Sequence, residues 1–485
     1  MLATTMQSLD TTIANVALPH IQGSIAATQE QMSWVLTSYI VAVAIMTPLT
    51  GWLAGRFGRK NVFLASIVGF TISSVLCGLA QSLPQIVLFR LLQGLSGAAL
   101  VPLSQAILLD INPPERHARA MSVWVMGVTV GPILGPALGA WLTDNYSWRW
   151  VFYINVPIGL ISFLGLSSFL SESKLTRSTF DFMGFTSLAI GIGALQLMLD
   201  RGQLLDWFSS AEICIEALIA VVALYLFVVH SMTTREPFVN FKIFKDRNFL
   251  VGSIFIVIVG VLLFANLALM PPLLQDLLDY PVMTAGLLTA PRGLGTLAAM
   301  LVIGRLLRIM DARWVIALGL AVTCVSMWQM TGFYIGMDDS LVAWSGFIQG
   351  IGMGLAYVPL ATVAFATLAP QLRNEGTAVF NLLRNIGSSI GIAGVQAVFI
   401  RNAQIMHARL AEHITPYGVH GQNIGDLSST AGLAAVNGRV TQQATMIAYN
   451  NDFKLLLVLS ALAIPLVFIF RKPGTHTAPA SIAAD

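Results

Sequence analysis

Asp10 is the residue best suited to chemistry, because it is an acid inside the first apolar run of the chain. A carboxyl group in the hydrocarbon of a membrane is costly and is usually functional. Desolvation favours its protonated form, whereas water or a nearby cation favours its ionised form. Asp10 could therefore take up a proton on one side of a membrane and release it on the other. The alternative is a structural acid paired with an arginine.

Arg90 is a second charged residue within an apolar run, and its guanidinium does not lose its proton. Counted from the outer ends of their predicted helices, Asp10 and Arg90 differ in depth by only about 6 Å at 1.5 Å per residue. We therefore predict that Arg90 pairs with Asp10 and biases its titration. The alternative is an arginine that bonds only to helix ends.

Arg292 and Arg384 are cations in apolar runs of the second half, and neither has an acid in its own or a neighbouring run. Facing a cavity, they would favour anionic or weakly acidic substrates. With Asn385, and with Asn15 and Gln93 from the first half, they form the predicted lining of a substrate cavity. The alternative is that both arginines extend to the membrane surface or cap broken helices.

Four glycines in the fifth apolar run, at 127, 131, 135 and 139, recur every four residues and therefore line one face of a helix. Such a face lets a neighbouring helix approach closely. Pro132 and Pro136 remove backbone hydrogen bonds from the same segment and make it easier to bend. Gly131, Pro132, Gly135 and Pro136 are thus the predicted hinge, with tight packing alone as the alternative.

The elements that carry these residues are membrane spans, because 56% of the 485 residues are hydrophobic and only 10% are charged. A soluble protein of this length needs far more charge on its surface. Apolar runs of about 20 residues are long enough to cross roughly 30 Å of hydrocarbon. They predict an all-α integral membrane protein with fourteen spans, near 1–20, 32–55, 61–81, 84–108, 119–143, 149–170, 182–200, 211–231, 248–271, 282–305, 313–335, 340–365, 375–400 and 453–471.

Lysines and arginines are concentrated in the loops on one side of these spans, which predicts that both termini are cytoplasmic. Placed in short loops, this charge does not indicate nucleic-acid binding. The first run lacks a basic n-region, so it is expected to be a span rather than a signal peptide, although translation could start upstream. Cys77, Cys214 and Cys324 lie within apolar runs and are interpreted as packing residues.

The predicted organisation has two six-span bundles, at 1–170 and 248–471, joined by two extra spans at 182–231. A polar segment at 401–452 is predicted on the outer side as a long loop. Within it, 401–414 could continue the preceding helix, and 430–449 has helical character. Residues 472–485 form a predicted cytoplasmic tail.

Several stretches together resemble a known family. They are 9–19 around Asp10, the loop 51–60, 90–94 with Gly97, the glycines and prolines of the fifth run, 148–157, and 199–208. This combination is similar to the fourteen-span drug:proton antiporters of the major facilitator superfamily, the EmrB/QacA group, and the resemblance covers essentially the whole chain.

The resemblance implies alternating access between two bundles and proton-coupled export of small hydrophobic or weakly acidic drug-like compounds across an inner membrane, without a cofactor. It implies that a periplasmic adaptor and an outer-membrane channel are partners, with the segment 401–452 placed to dock the adaptor. A solvated loop is the alternative. Gly51, Arg56, Gly58 and Arg59 match the family's cytoplasmic loop. Gly55 departs from it, because the family usually has an acid there that locks one conformation.

Two other functions were weighed. A proton-coupled uptake symporter or a specific metabolite exporter would have the same fold, and the Gly/Pro pattern of the fifth run argues against uptake by resemblance only. A membrane sensor or embedded enzyme is disfavoured because no soluble domain, nucleotide-binding loop or catalytic triad is recognisable. The outer histidines 407, 413 and 420 lack metal-site spacing.

Overall fold

The computed structural model describes residues 1–471 except 26, 114–115, 171–178, 370–371 and 415–428, so the predicted tail lies outside the described residues. The described part is helical and contains no strand. This described part contains seventeen α-helices, and three pairs of consecutive helices each form one unit. The resulting fourteen units overlap the fourteen predicted spans one by one. The helices are α1 (Leu2–Ile25), α2 (Gln29–Met46), α3 (Leu49–Phe57), α4 (Arg59–Leu79), α5 (Leu83–Gly97), α6 (Leu100–Ile111), α7 (His117–Asn145), α8 (Trp150–Tyr153), α9 (Asn155–Phe169), α10 (Phe182–Arg201), α11 (Ala211–Thr233), α12 (Arg247–Pro272), α13 (Val282–Ile309), α14 (Ala312–Met330), α15 (Asp339–Ala366), α16 (Arg373–Glu412) and α17 (Thr430–Leu466).

Eleven of these units, in the described part of the chain, are long and apolar enough to cross a membrane. The pair α2 and α3, bent by 56° where Pro48 interrupts the helix, raises the number to twelve. The two remaining units are α1 and α7. They pack on each other through a face of hydroxyl groups on α1 and a face of glycines on α7. Fourteen spans are therefore compatible with the structure, and the predicted all-α membrane fold is confirmed.

Short polar residues start several helices where the sequence leaves an apolar run. Thr28 and Gln31 form a capping box at α2, and the carboxylates of Asp246 and Asp311 accept amide hydrogen bonds at α12 and α14. These caps satisfy amides that have no partner within the helix. Gly58, between α3 and α4, has φ +87°, a conformation that favours glycine.

The helices of each half pack mainly on one another. In the first half α1 packs on α7, α2 on α5, and α4 on α5 and α9; in the second, α15 packs on α13 and α14, and α16 on α12 and α17. Contacts also join the halves, between α6 and α16 and between α7 and α13. The division into two bundles that move separately stays a prediction.

The extra pair, α10 and α11, packs together, and α10 lies against both α2 and α16. Its start is anchored by Asp181, whose carboxylate accepts hydrogen bonds from the amides of Gly184 and Phe238 and contacts the ring of His230. Burial raises the pKa of Asp181, but these hydrogen bonds outweigh it and hold the pKa below its usual value. The other face of α11 exposes a row of large apolar side chains, as expected for lipid contact.

The segment 401–452 is mostly helical where it is described, and its place as a connection on the outer side stays a prediction. Helix α16 continues to Glu412, and α17 begins at Thr430, long before the predicted start of the last span at 453. Val436, Val440 and Ala444, spaced four apart, are buried on α17, which packs on α16. This apolar stripe makes the extension a helical pair, and it confirms helix at 401–412 and 430–449.

Candidate functional site

Asp10 lies on α1 in a fully enclosed polar site, with only 1% of its surface exposed. Its Oδ2 is 2.8 Å from Nη1 of Arg90 on α5, which is also buried. Its Oδ1 accepts hydrogen bonds from the amide groups of Gln93, at 2.9 Å, and Asn155 of α9, at 2.7 Å. The structure thus brings Asp10 and Arg90 together, as the depth argument predicted. Their role in proton coupling stays a prediction.

Arg90 has partners that do not depend on Asp10. Its Nε donates to the carbonyl of Val35 on α2 at 3.3 Å, and its Nη1 donates to Oε1 of Gln93 at 2.8 Å. Its guanidinium lies 4.4 Å from the centre of the Tyr39 ring, a cation–π distance. These contacts hold Arg90 against α2 and within α5 independently of its ion pair with Asp10.

Asn155 connects Asp10 to α4. Its Nδ2 also donates to Oγ of Ser74 at 2.8 Å, and that hydroxyl donates to the carbonyl of Phe152 at 2.9 Å. Because one carboxylate is tied to α5 and α9, and through Asn155 to α4, a change in its charge alters contacts among four helices. The arrangement is suited to coupling a proton to a helix movement.

The contact of α1 with α7 holds Asp10 in position. Three hydroxyl groups on α1, those of Thr5, Ser8 and Thr12, donate to the carbonyls of Gly127, Val128 and Gly131 at 2.8, 2.7 and 3.0 Å. The spacing of these hydroxyls follows one helix face. Their bonds to backbone require the two helices to lie unusually close.

The predicted hinge lies in this contact. A Cβ at Gly131 would be 2.5 Å from the carbonyl carbon of Ser8, and one at Gly135 would collide with the side chain of Thr12. The helix α7 continues through 132 and 136 without a break, and the side chains of Pro132 and Pro136 lie outside the described residues. Close packing by Gly131 and Gly135 is thus observed, whereas bending at the prolines stays a prediction.

The predicted loop motif forms the junction of α3 and α4. Gly51 lies within α3 and Arg56 is exposed in its last turn. Arg59 forms an ion pair with Asp110 at the end of α6, and Arg373 at the start of α16 reaches the same carboxylate at 3.2 Å. Asp110 therefore joins the loop of the first half to a helix of the second half.

A neutral contact lies deeper at the same end of the helices. The amide of Asn381 on α16 donates to Oε1 of Gln105 on α6 at 2.8 Å, and both side chains are buried. Together with the ion pairs of Asp110, this contact closes the space between α6 and α16 at the end that carries the loop. Although Gly55 lacks the usual acid, charged residues still connect the two halves here.

Replacing Asp110 by asparagine is expected to open this end of the protein. Arg59 and Arg373 would lose the carboxylate between them, and partly exposed ion pairs contribute about 0.2–1 kcal/mol each. We expect a population shift of roughly 3-fold to 10-fold, because 1.4 kcal/mol is tenfold. In a cysteine-free background, a cysteine at Asn381 should react faster with a polar thiol reagent. Asp311→Asn, which loses an ion pair with Arg313 within one half, is the control; equal rates in both variants contradict the prediction.

The other predicted cavity residues are separated. Gln93 is fully buried in the Asp10 site, so it lines no cavity in this conformation, and Asn15 is exposed on α1. Arg292 donates to Asn266 Oδ1 at 3.2 Å and to the Leu263 carbonyl at 3.1 Å.

Arg384 is near the hydroxyl of Tyr357, at 3.5 Å, and Oδ1 of Asn385, at 3.4 Å. Among the described residues, neither Arg292 nor Arg384 has an acidic partner within ion-pair distance. Both thus retain uncompensated positive charge, as expected from the sequence, and their role in a substrate cavity stays a prediction.

The fold and these sites agree with comparisons to known proteins. A profile of the family described as Major Facilitator Superfamily matches residues 1–392. The chain belongs to the major facilitator superfamily. The fatty acid resistance protein FarB of Neisseria gonorrhoeae is 38% identical over 97% of this chain and 95% of its own. The multidrug export protein EmrB of Escherichia coli (strain K12) is 37% identical over 97% of this chain and 94% of its own. The predicted relationship to the EmrB/QacA group is therefore confirmed.

Two solved structures share the fold of this superfamily member. The human organic anion transporter MFSD10 has a TM-score of 0.60 at 15% identity, covering 95% of this chain and 97% of its own. A bacterial homologue of the human lysosomal transporter Spinster, inward-facing and unoccupied, has a TM-score of 0.55 at 18% identity, covering 97% of this chain and 95% of its own. The chain is thus a multi-pass membrane transporter.

Several residues in the sites of this superfamily member were not predicted from the sequence. Asn155 lies in a stretch that carried the family resemblance, but its contact with Asp10 was not predicted. The hydroxyls of Thr5, Ser8 and Thr12 recur at helical spacing, a signal that could have identified the face packed on α7. No local pattern could have paired Asp110 with Arg373, because 263 residues separate them.

Proposed function

We propose that this transporter exports small hydrophobic compounds across the inner membrane in exchange for protons, with Asp10 as the proton carrier. The observation that carries the proposal is the buried contact of Asp10 with Arg90, Gln93 and Asn155. A carboxylate held by a permanent cation can bind a proton only if that contact rearranges. Protonation and a change of conformation are therefore linked.

In the proposed cycle, Asp10 takes up a proton in the outward-facing state while the compound leaves. In the inward-facing state it releases the proton and contacts Arg90 again while a new compound enters. The membrane potential contributes about 2.3 kcal/mol per charge per 100 mV, so a single proton can drive appreciable accumulation outside. Tight packing of α1 on α7 transmits the change at Asp10 to a whole helix.

Both termini are proposed to lie in the cytoplasm. The end of the helices that carries Arg56, Arg59 and Arg373 is rich in basic residues, and such loops remain inside. In this orientation, the contact of Asp110 with both halves closes the cytoplasmic end. The helical extensions of α16 and α17 then project to the outside, where we propose that a periplasmic adaptor binds and leads to an outer-membrane channel.

The proposed substrates include weak acids. Arg292 and Arg384 supply positive charge without an acidic partner among the described residues, which favours anionic compounds. Two similar proteins, a fatty acid resistance protein and a multidrug export protein, have names that agree with hydrophobic compounds of this kind.

Inverted membrane vesicles test this function directly. After acidification of their interior, addition of a hydrophobic weak acid should cause compound-dependent proton release, whereas vesicles without the protein should not respond. Two controls allow passive proton leak to be subtracted. One is an uncoupler, and the other is a weak acid that does not itself conduct protons. Proton entry together with the compound would instead indicate symport, and transport restricted to cationic dyes would refute the weak-acid substrates.

A further inference from the structure

A second carboxyl group, Asp452 on α17, is buried inside the protein and has no part in the mechanism above. Its side chain is 0% exposed, and neither carboxylate oxygen has a hydrogen-bond partner among the described residues. An ionised carboxylate without a counter-charge is strongly disfavoured in apolar surroundings, so burial favours the neutral form of Asp452. Asp10 differs, because it has three hydrogen bonds and a cation.

Among the described residues, Asp452 has no cation within ion-pair distance. The next residue, Phe453, is buried with its ring centre 5.7 Å from that of Phe333, and Asn450 donates to the carbonyl of Phe333 at 2.9 Å. The helix α17 packs on α12, α14 and α16. Titratable groups on these elements include Tyr449 and the exposed Lys454 on α17, His407 and the exposed Arg401 on α16, Cys324 on α14, and the exposed Asp276 after α12.

A cavity lies on the same face of α17 as this carboxyl group. About 320 Å³ in volume, it lies between α16 and α17 and is lined by Ala403, Gln404, His407, Thr441, Ala444 and Thr445. Thr445 precedes Asp452 by seven residues, which is about two turns and about 10 Å along the same helix face. The buried Tyr449 lies between them along the helix. Gln404 and Thr441 are exposed, so water reaches the cavity.

We propose that Asp452 is a second proton-binding site, loaded from the outer solution through the cavity between α16 and α17, that adds one proton to each transport cycle. The direction of loading rests on the proposed function and orientation. Because Asp452 has no fixed cation beside it, the group ionises only in a conformation that admits water. Asp10 in the first half of the sequence and Asp452 in the second half then each bind and release one proton per transport cycle.

Proton binding can be tested without any transported compound. The full chain in liposomes is treated with a hydrophobic carbodiimide, which reacts with protonated carboxyl groups in apolar surroundings, and modified peptides are mapped by mass spectrometry. We expect modification of Asp452 at neutral pH, but not of exposed Asp144 or of Asp10 paired with Arg90. Lack of modification at Asp452 throughout the pH range overturns the site. This result is independent of whether export is proton-coupled.

Coupling of Asp452 to transport is tested by the number of protons exchanged per molecule of compound. This ratio is obtained in the same liposomes from the proton and compound gradients at which net transport stops. Asp452→Asn should lower the ratio by one proton, whereas the control Asp144→Asn should leave it unchanged; an unchanged ratio in both overturns the coupling.

If Asp452→Asn does not fold, Thr445→Leu fills the cavity and keeps the carboxyl group. Hydrogen–deuterium exchange of the protonated carboxyl band in the infrared should then slow at least several-fold, and an unaltered rate overturns the route.

Discussion

Replacing Asp10 by asparagine is expected to abolish proton-coupled export. Asparagine has nearly the same shape and can still accept a hydrogen bond, but it cannot exchange a proton or balance the charge of Arg90. Removing one partner of a buried ion pair costs about 3–5 kcal/mol. This corresponds to roughly 100-fold or more in the balance between conformations. Compound-dependent proton release from inverted vesicles should therefore fall to the level of vesicles without the protein.

Two further variants separate this effect from loss of the folded protein. Asp144→Asn makes the same chemical change at an exposed position near the end of α7 and should leave proton release unaltered. The double variant Asp10→Asn with Arg90→Gln removes both charges, so it should recover stability in a thermal unfolding assay but not transport. Proton-coupled export by Asp10→Asn at more than a tenth of the normal rate would show that another group carries the proton.

The pairing of Asp10 with Arg90 could be predicted because the membrane restricts what a helix can do. Spans must be continuous helices of similar length, so counting residues from their ends gives the depth of each charge. Two charges of opposite sign at similar depth are expected to pair, because an unpaired charge in hydrocarbon is costly. The spans themselves were predictable for the same reason, since each apolar run overlaps one helical unit of the structure.

The parts that could not be predicted depend on how distant helices pack. Gln93 was expected in a substrate cavity, but the rotation of α5 directs it to Asp10, and no local pattern encodes that rotation. Asn155 completes the same site from α9. Helical character was predicted at 430–449, but one continuous helix from Thr430 into the last span was not, because polar residues such as Asn437 and Thr441 obscure a buried stripe of small apolar residues. Helix pairing with α16 decides the structure there.

The loop motif lacks its usual acid at Gly55, but the loop still forms an ion pair. Arg59 still meets an acid, Asp110, and Arg373 joins the same carboxylate from the second half. An ion pair between the halves favours one conformation only while they touch at that end. The family pattern places a contact between the halves at this loop, and here the acid of that contact is Asp110 of α6; its role as a conformational lock stays a prediction.

Gly131→Ala should disrupt transport strongly, although it adds only one methyl group. Its Cβ would be 2.5 Å from the carbonyl carbon of Ser8 and 2.6 Å from the amide nitrogen of Leu9, and backbone atoms cannot rotate away. Overpacking of this kind costs about 1–3 kcal/mol. To relieve it, α1 must move, and Asp10 follows Leu9 directly in the chain. We therefore expect export to fall roughly 5-fold to 100-fold, since 1.4 kcal/mol is tenfold.

Gly127→Ala is the matched control on the same face of α7. A Cβ there would meet only the ends of two side chains, Thr5 Oγ1 at 3.2 Å and Met1 Cε at 3.3 Å, which can move aside. Alanine favours helix over glycine by about 1 kcal/mol at both positions, so helix propensity cannot explain a loss. If resistance and vesicle transport fall equally in both variants, the approach of α7 to α1 beside Asp10 is not what limits export. If Gly131→Ala alone fails, the position of Asp10 depends on the close contact of α1 with α7.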